Sequence, residues 1–478
     1  GDKMKTVKNL KKFRNERRIV ETLDYMKNLV LAGVDMFDVD LGCYDNWWLP
    51  HPPASMPSGC FLEISALVKQ FFAENNIKSN AGLDVPVVAV GKLGYPDLAE
   101  KALREDKCDM IMLARPLLAD PNWAKKAYKG ECEKITPCIG CQECIREFVE
   151  GGHPQCAVNP LAAFEDEMKK EIEISKSLKR VAVVGGGPGG IVCANTLIKR
   201  GHKVVLFEKS DSLGGMLEAA GKPKIKYEIG NYKQYLEKIA ERLQDNKNFS
   251  LKLSTKMTTS QLKDEKFDVI VTATGATPVL LPIDGIKNKN VFDVTEVLNS
   301  PKLVENFNKI IIIGGGDSGC ELAYFLKYEL KKEVTIIEKE KYLMANTCTA
   351  NRGHLLYYLD KAGCSVHNLT KVLAIRDNSV KISKNISKNV PNPFDTTSPI
   401  LPENIHNPLE KKIENVWTEF SVACDCVVVA CSVKSNNELY LDLVKNNAAK
   451  EIYNIGDSNR PGKIFSVVKS AYRTARNI

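Results

Sequence analysis

The sequence predicts an α/β protein built on parallel sheets. Three observations carry this expectation. Residues 20–128 alternate helical and buried-strand stretches. Two apolar strands, Val181–Val184 and Ile310–Ile313, each run through a glycine-rich turn into a helical pattern. A strand, a Gly-Asp turn and a helix close the sequence over Glu451–Ile478. Repeated helix–strand units of this length favour parallel pairing, because each crossover helix returns the chain to the same end of the sheet.

In order, helical stretches are expected at Glu21–Ala32, Glu63–Glu74 and Pro96–Glu105. The strands expected after them are Met36–Leu41, Pro86–Val90 and Asp109–Leu113. A loop rich in cysteine spans Cys138–Cys156, and a charged linker runs from about Glu165 to Arg180. The Asn-, Pro- and Ser-rich segment 383–412 reads as an inserted surface loop. The 478 residues, 44% apolar and 26% charged, suffice for three or four domains.

Composition narrows the function classes. No run of eighteen apolar residues exists, so no membrane span is expected. The opening GDKMKTVKNLKKF has no apolar core after its lysines, unlike a signal peptide. The net charge of +8 is spread over the whole chain. It suits nucleotide phosphates and forms no concentrated nucleic-acid stripe. Fifteen cysteines, an odd number, argue for a reducing, cytoplasmic setting and against a disulfide framework.

The strand before Gly185 enters a G-x-G-x-x-G turn made by Gly185, Gly187 and Gly190, with Pro188 and Gly189 between them. The first glycine permits the tight turn, and the second lets the backbone approach a pyrophosphate. The third packs helix on strand, and the helix N-terminus faces the phosphates with its amides. Strand Lys203–Phe207 ends at Glu208, eighteen residues after Gly190, where a ribose hydroxyl would be held. The device recurs at Gly314, Gly316 and Gly319, with Asp317 and Ser318 inside the turn and Glu338 ending strand Val334–Ile337. A carboxylate there bonds a 2′-hydroxyl and repels a 2′-phosphate, which favours NADH over NADPH. Both folds read as Rossmann-like, the products of a duplication.

Cys138, Cys141, Cys144 and Cys156 give C-x2-C-x2-C-x11-C. Three thiolates on one tight loop and a fourth beyond it suit a [4Fe–4S] cluster; the alternative is a structural zinc, which more often uses two separated C-x2-C pairs. Cys424 and Cys426 read as core thiols on one face of the run Cys424–Cys431.

Val269–Gly275, ending in Ala-Thr-Gly, and Ile452–Asp457, ending in Gly-Asp, resemble segments of the two-dinucleotide-domain flavoproteins related to disulfide oxidoreductases. The resemblance implies FAD on the first fold, with Gly215, Gly275 and Gly456 near it and Asp457 on the ribityl chain. It implies a nicotinamide on the second fold, nested within the first. The cysteine pair that defines true disulfide reductases is absent.

Gly42–Pro53 (GCYDNWWLPHPP), Val88–Leu93 (VAVGKL), Leu113–Pro121 (LARPLLADP) and the cysteines before Ala157-Val-Asn-Pro resemble the 2-enoate reductase branch of the old yellow enzyme family. Its relatives include 2,4-dienoyl-CoA reductase and trimethylamine dehydrogenase. The resemblance implies an FMN-binding (β/α)8 barrel, a cluster, then an FAD domain holding a nicotinamide domain. It also implies anaerobic metabolism and an activated C=C substrate, either a 2-enoate or an enoyl thioester. Gly91, Lys92, Ala114 and Arg115 would face the FMN phosphate, although an ordinary ion pair is the plainer reading of Arg115. His51, Trp47 and Trp48 would line the substrate pocket or, for the tryptophans, pack against the cluster segment. The sequence departs from the family in matching only the C-terminal strands of the barrel. Strands one to five, and the proton donor they carry, would come from another chain or from residues outside this sequence.

The expected boundaries follow. Residues 1–128 form the partial barrel, 129–175 the cluster segment and linker, and 176–290 with 436–478 the FAD domain around a nicotinamide domain at 291–435. An oligomer is expected. The rival readings are a diaphorase-like electron-donor subunit and a scaffold remnant without catalysis.

Overall fold

The structure is a computed structural model that describes residues 18–43, 46–168, 172–396, 405, 407–408 and 410–478. The lysine-rich opening, Tyr44 and Asp45 of the Trp-rich motif, and most of 397–409 lie outside the described residues. Contacts divide the chain into two units that meet between Ile135 and Thr136.

The first unit contains α1 (Ile19–Leu31), β1 (Phe37–Val39), α2 (Leu62–Glu74), β2 (Val87–Ala89), α3 (Pro96–Arg104), β3 (Met110–Ile111) and the short α4 (Arg115–Ala119). The strands pair in parallel in the order β1-β2-β3. Leu67, Val68, Phe71 and Phe72 of α2 bury against Leu23, Met26 and Val30 of α1 and against Val39 and Val87. Leu31, Met36, Met110 and Met112 remain exposed around this small sheet. The helix–strand alternation expected for this stretch is present, with shorter strands than the apolar runs suggested.

The second unit opens on the cysteine segment, which includes α5 (Glu143–Val149). The first nucleotide fold follows: β4 (Arg180–Val184), α6 (Pro188–Lys199), β5 (Lys203–Phe207), α7 (Tyr227–Gln244), β6 (Phe249–Lys252) and β7 (Val269–Thr272). A ribbon pairs β8 (Ala276–Pro278) with the later β17 (Val433–Ser435). Between its strands lies the second fold: β9 (Val291–Asp293), β10 (Lys309–Ile313), α8 (Asp317–Tyr324), β11 (Glu333–Ile337), α9 (Thr349–Lys361), β12 (Ser365–His367) and β16 (Cys426–Val429). The antiparallel β13 (Thr370–Arg376), β14 (Ser379–Asn385) and β15 (Trp417–Ala423) are inserted before β16. Finally β18 (Glu451–Asn454) and α10 (Ile464–Asn477) return to the first fold.

The parallel sheets run β18-β7-β4-β5-β6 and β12-β11-β10-β16-β9. The nesting is visible in this order, because β18 pairs with β7 across the whole of the second fold. Ile310–Ile313 of β10 are all buried, as a central parallel strand covered on both faces requires. Among the described residues no helix is long and apolar enough to cross a membrane.

Two expectations need correction. Asn385 is the last residue of β14, so the loop begins later than residue 383 and joins two strands of one antiparallel sheet. Cys424 and Cys426 are both buried, but not on one face. Cys424 packs with Ile311, Ile313 and Ile337, whereas Cys426 packs with Ile310, Ile312 and Ile336 on the other side of the sheet. The cause is Asp425, whose Oδ2 accepts the Asn308 and Lys309 N–H groups at 2.9 Å each and turns the chain between β15 and β16. Burial raises the Cys424 thiol to about 11 and the Cys426 thiol to about 12, as inert core thiols require.

Candidate dinucleotide and cysteine sites

The two glycine turns are built alike. Gly185 and Gly314 have φ of +118° and +109°, a left-handed backbone that closes the turn at the strand end. A Cβ on Gly190 would sit 1.8 Å from the Gly185 carbonyl oxygen, and one on Gly319 would sit 1.9 Å from that of Gly314. Here helix and strand are too close for any side chain. A Cβ on Gly187 or Gly316 would meet nothing within 4 Å, so the space in front of these two is open to a ligand. Pro188 begins α6 without needing a donor, Gly189 packs on Val467 of α10, and Ser318 is exposed beside Gly316. The Asp317 carboxylate accepts a hydrogen bond from the Thr347 hydroxyl.

Strand register places an acid beside each turn. Val184 pairs with Phe207 and Ile313 with Ile337, so Glu208 and Glu338 begin one residue past the paired strands. Glu208 accepts the Gly186 N–H at 2.6 Å and the Ser210 N–H at 2.8 Å. Glu338 repeats this with Gly315 at 2.5 Å and Glu340 at 2.8 Å. Each carboxylate therefore holds its own glycine turn in shape, a duty that the spacing alone did not reveal. Its remaining lone pairs can still take a ribose hydroxyl.

Gly215 (φ +54°) lies against Gly187, and Gly275 (φ +74°) follows β7. Asn436, absent from the sequence reading, clips that turn: its Nδ2 donates to the Thr274 carbonyl at 3.1 Å, and its own carbonyl accepts the Thr274 hydroxyl at 2.6 Å. In the Gly-Asp turn, Gly456 has φ +63° and Asp457 Oδ1 accepts the Gly462 N–H at 3.0 Å. Burial raises the Asp457 carboxyl above its ordinary range. Ser458 and Asn454, also missed, brace the turn through a 2.7 Å hydrogen bond.

The cysteine loop turns on two left-handed residues, Gly140 (φ +59°) and Gln142 (φ +65°), which flank Cys141. Cys138 and Cys141 are half-buried, and Cys144 and Cys156 are buried. Burial pushes the Cys141 thiol well up, and Cys138, Cys156 and Cys144 lie near enough to push it further. Burial, with Cys138 and Cys144 adding to it, raises Cys156 to about 12. Backbone N–H groups oppose this: Glu143 donates to Cys141, and Val158 and Asn159 donate to Cys156. Among the described residues no three His, Cys, Asp or Glu side chains form a group that could hold a metal ion.

In the first unit, Gly91 (φ +111°) and Lys92 (φ +54°) follow β2, and Ala114 and Arg115 follow β3. The Lys92 side chain has a structural duty that the motif did not reveal. Its ammonium donates to the carbonyls of Pro53 at 3.0 Å, Ala54 at 3.0 Å and Met56 at 2.5 Å. Three N–H groups on three acceptors clamp this loop. Arg115 also donates to the loop, at Pro52, over 2.9 Å, through one arm of its fork. Trp47 meets His51 edge to face at 4.5 Å between ring centres, and Trp48 is half-buried. Burial, then the Arg115 charge, lowers the His51 pKa.

Residues 179–461 match the pyridine nucleotide-disulphide oxidoreductase family. The chain belongs to that family. Residues 64–133 match the NADH:flavin oxidoreductase / NADH oxidase family. Both matches bear out the resemblance read from the motifs. A cinnamate reductase of Clostridium sporogenes is 32% identical over 97% of this chain and 62% of its own length. A bilirubin reductase of Mediterraneibacter gnavus is 29% identical, over 96% of this chain and 64% of its own. Among solved structures, a 2-naphthoyl-CoA reductase complex superposes with a TM-score of 0.80 at 27% identity, covering 96% of this chain and 62% of that one. The chain thus spans about three-fifths of the length of these relatives.

Proposed function

We propose that this chain carries the NADH-oxidising half of an iron–sulfur flavoprotein that reduces the activated C=C bond of a 2-enoate or enoyl thioester. The observation that carries the reading is the doubled turn, each with an open cradle at its second glycine and an acid at the adjacent strand end. The first fold, at 176–290 and 436–478, takes FAD, with Asp457 on its ribityl chain. The second, at 291–435, takes NADH, with Glu338 on the ribose. The four cysteines would hold a [4Fe–4S] cluster on the ground of their type and C-x2-C-x2-C-x11-C spacing, with backbone N–H groups directed at two of them. Among the described residues their thiols are not gathered into a metal-holding group, and they would have to close around the cluster. When bound, NADH would supply a hydride, FAD would take its two electrons, and the cluster would carry them onward one at a time. The chain's residues supply the amides that hold the phosphates, the carboxylates that orient the riboses and the loop that fixes the thiolates.

The FMN end is incomplete by itself. A parallel sheet of three strands cannot close a barrel, and exposed Met36, Met110 and Met112 surround it. A segment outside this sequence, from another chain or the same one, completes the barrel and brings most of the FMN site and the proton donor. Arg115, with His51 and the two tryptophans near it, then borders that site. A cytoplasmic, reducing setting suits the free thiols.

The test is anaerobic expression of residues 1–478, with assay of iron, FAD, FMN and two activities. Bound FAD and iron with NADH-dependent dye reduction, and enoate reduction only after the remaining barrel strands are supplied, are expected. Stoichiometric FMN and full enoate reduction by this chain alone refute the incomplete site. Dye reduction without enoate reduction after complementation favours the electron-donor subunit.

A further inference from the structure

Lys463 ties together three parts of the second unit. Its ammonium lies 2.8 Å from Glu143 Oε1 and donates to the Asn346 carbonyl at 3.1 Å. Glu143 stands between Cys141 and Cys144, its side chain only 3% exposed, and its other oxygen takes Arg146 at 2.7 Å. Its own backbone N–H is directed at Cys141. Asn351 of α9 adds a second hold on the loop by donating to the Cys141 carbonyl at 3.0 Å.

At the other end of the lysine, the backbone is fixed by the Gly-Asp turn. Lys463 is the residue before α10, and its carbonyl accepts the Ser466 and Val467 N–H groups at 3.0 and 3.2 Å. The preceding residue, Gly462, donates its N–H to Asp457. A continuous path therefore runs from Asp457 through Gly462, Lys463 and Glu143 to Cys141. The mechanism above uses Asp457 and Cys141 but none of the residues between them.

We propose that Lys463 is a positioning residue that couples flavin binding at Asp457 to the order of the cysteine loop. The inference rests on the reading that this turn takes FAD. A ligand hydroxyl held by Asp457 orders residues 456–463 and sets the origin of the Lys463 side chain. Arg146 holds one oxygen of the buried Glu143 carboxylate and the Lys463 ammonium holds the other, and a buried carboxylate oxygen left without its donor is disfavoured, so the loop follows the lysine. The coupling is reciprocal: whatever orders the cysteines also tightens flavin binding.

The experiment is thiol alkylation of the full chain, stripped of iron by chelation, with and without FAD. Modification of Cys138, Cys141, Cys144 and Cys156 is followed by mass spectrometry. In the unmodified chain FAD should slow alkylation of these four on the order of tenfold. Lys463→Met should retain FAD on gel filtration yet lose the protection, and Lys463→Arg should restore it. Glu143→Gln, which keeps the side chain's size, should lose protection in the same way and serves if Lys463→Met does not fold. Equal protection by FAD in the unmodified chain and in either pair-breaking variant overturns the coupling alone. An unmodified chain that holds no FAD overturns the functional reading and the coupling with it.

Discussion

Replacing Gly316 and Gly319 by alanine, one at a time, separates the ligand's need for glycine from the fold's. A Cβ on Gly319 would lie 1.9 Å from the Gly314 carbonyl oxygen, whereas ordinary contact begins near 3.4 Å, so α8 and the turn must part by about 1.5 Å. The obstructing atom is backbone, and no rotamer change relieves it. Overpacking of this kind costs about 1–3 kcal/mol or more. A loss of that size in a fold of ~150–250 residues lowers Tm by roughly 2–12 °C. Gly316 differs: its φ of −73° and ψ of −169° suit alanine, and the new methyl meets nothing within 4 Å. Gly316→Ala should therefore fold as well as the unmodified chain, or gain about 0.4–1 kcal/mol through the lower conformational entropy of the unfolded chain. Bound NADH, however, needs that space, and each hydrogen bond lost between backbone and a charged pyrophosphate is worth about 1.5–3 kcal/mol, or roughly ten- to a hundredfold in affinity. Thermal melts and NADH titration of flavin reduction, run on both variants, read the two effects. Unchanged NADH affinity in Gly316→Ala refutes the assignment of this turn as the pyrophosphate cradle.

Other outcomes follow from the same geometry. Cys141→Ser should lose iron on anaerobic purification, while Cys320→Ser, a buried thiol donating to the Gly315 carbonyl at 3.4 Å, should keep it; iron analysis of both decides. With Glu338 at the ribose, NADH should be preferred over NADPH by about 1–3 kcal/mol, and Glu338→Ser with Lys339→Arg should move kcat/KM toward NADPH. Equal kcat/KM for both coenzymes in the unmodified chain would count against the role of Glu338. His202 is fully buried, its Nδ1 accepts the Lys179 N–H at 3.1 Å, and burial, then Arg200 and Lys179, lower its pKa. The unfolded chain thus takes up the proton more readily, so stability is present above the ordinary histidine value of about 6.5 and falls as pH drops through the lower folded value. Melts between roughly pH 5 and 7.5 should show that fall, and His202→Asn should flatten it; an unchanged slope would show that other groups carry it.

The sequence by itself determined the features whose causes are local. Glycines at 185, 187 and 190 and at 314, 316 and 319, each after an apolar β-branched strand, admit one local geometry, and β5 falls on the expected Lys203–Phe207. The acids that end β5 and β11 were legible for the same reason, and so was the loop with three closely spaced cysteines. Tertiary structure alone decided what depends on distant partners. Whether Cys424 and Cys426 share a face turned on Asp425 catching the amides of Asn308 and Lys309, more than a hundred residues earlier in the chain. The extent of β14 turned on pairing with β15 across the long loop, since a strand as polar as Ser379–Asn385 has weak propensity of its own. Lys92 carried a family motif, yet its direction was set by three carbonyls some 36–39 residues away in sequence. The path through Lys463 spans 320 residues between ammonium and carboxylate. No periodicity or spacing encodes such a pair, because its energy comes from burial that exists only once both nucleotide folds have closed around the cysteine loop.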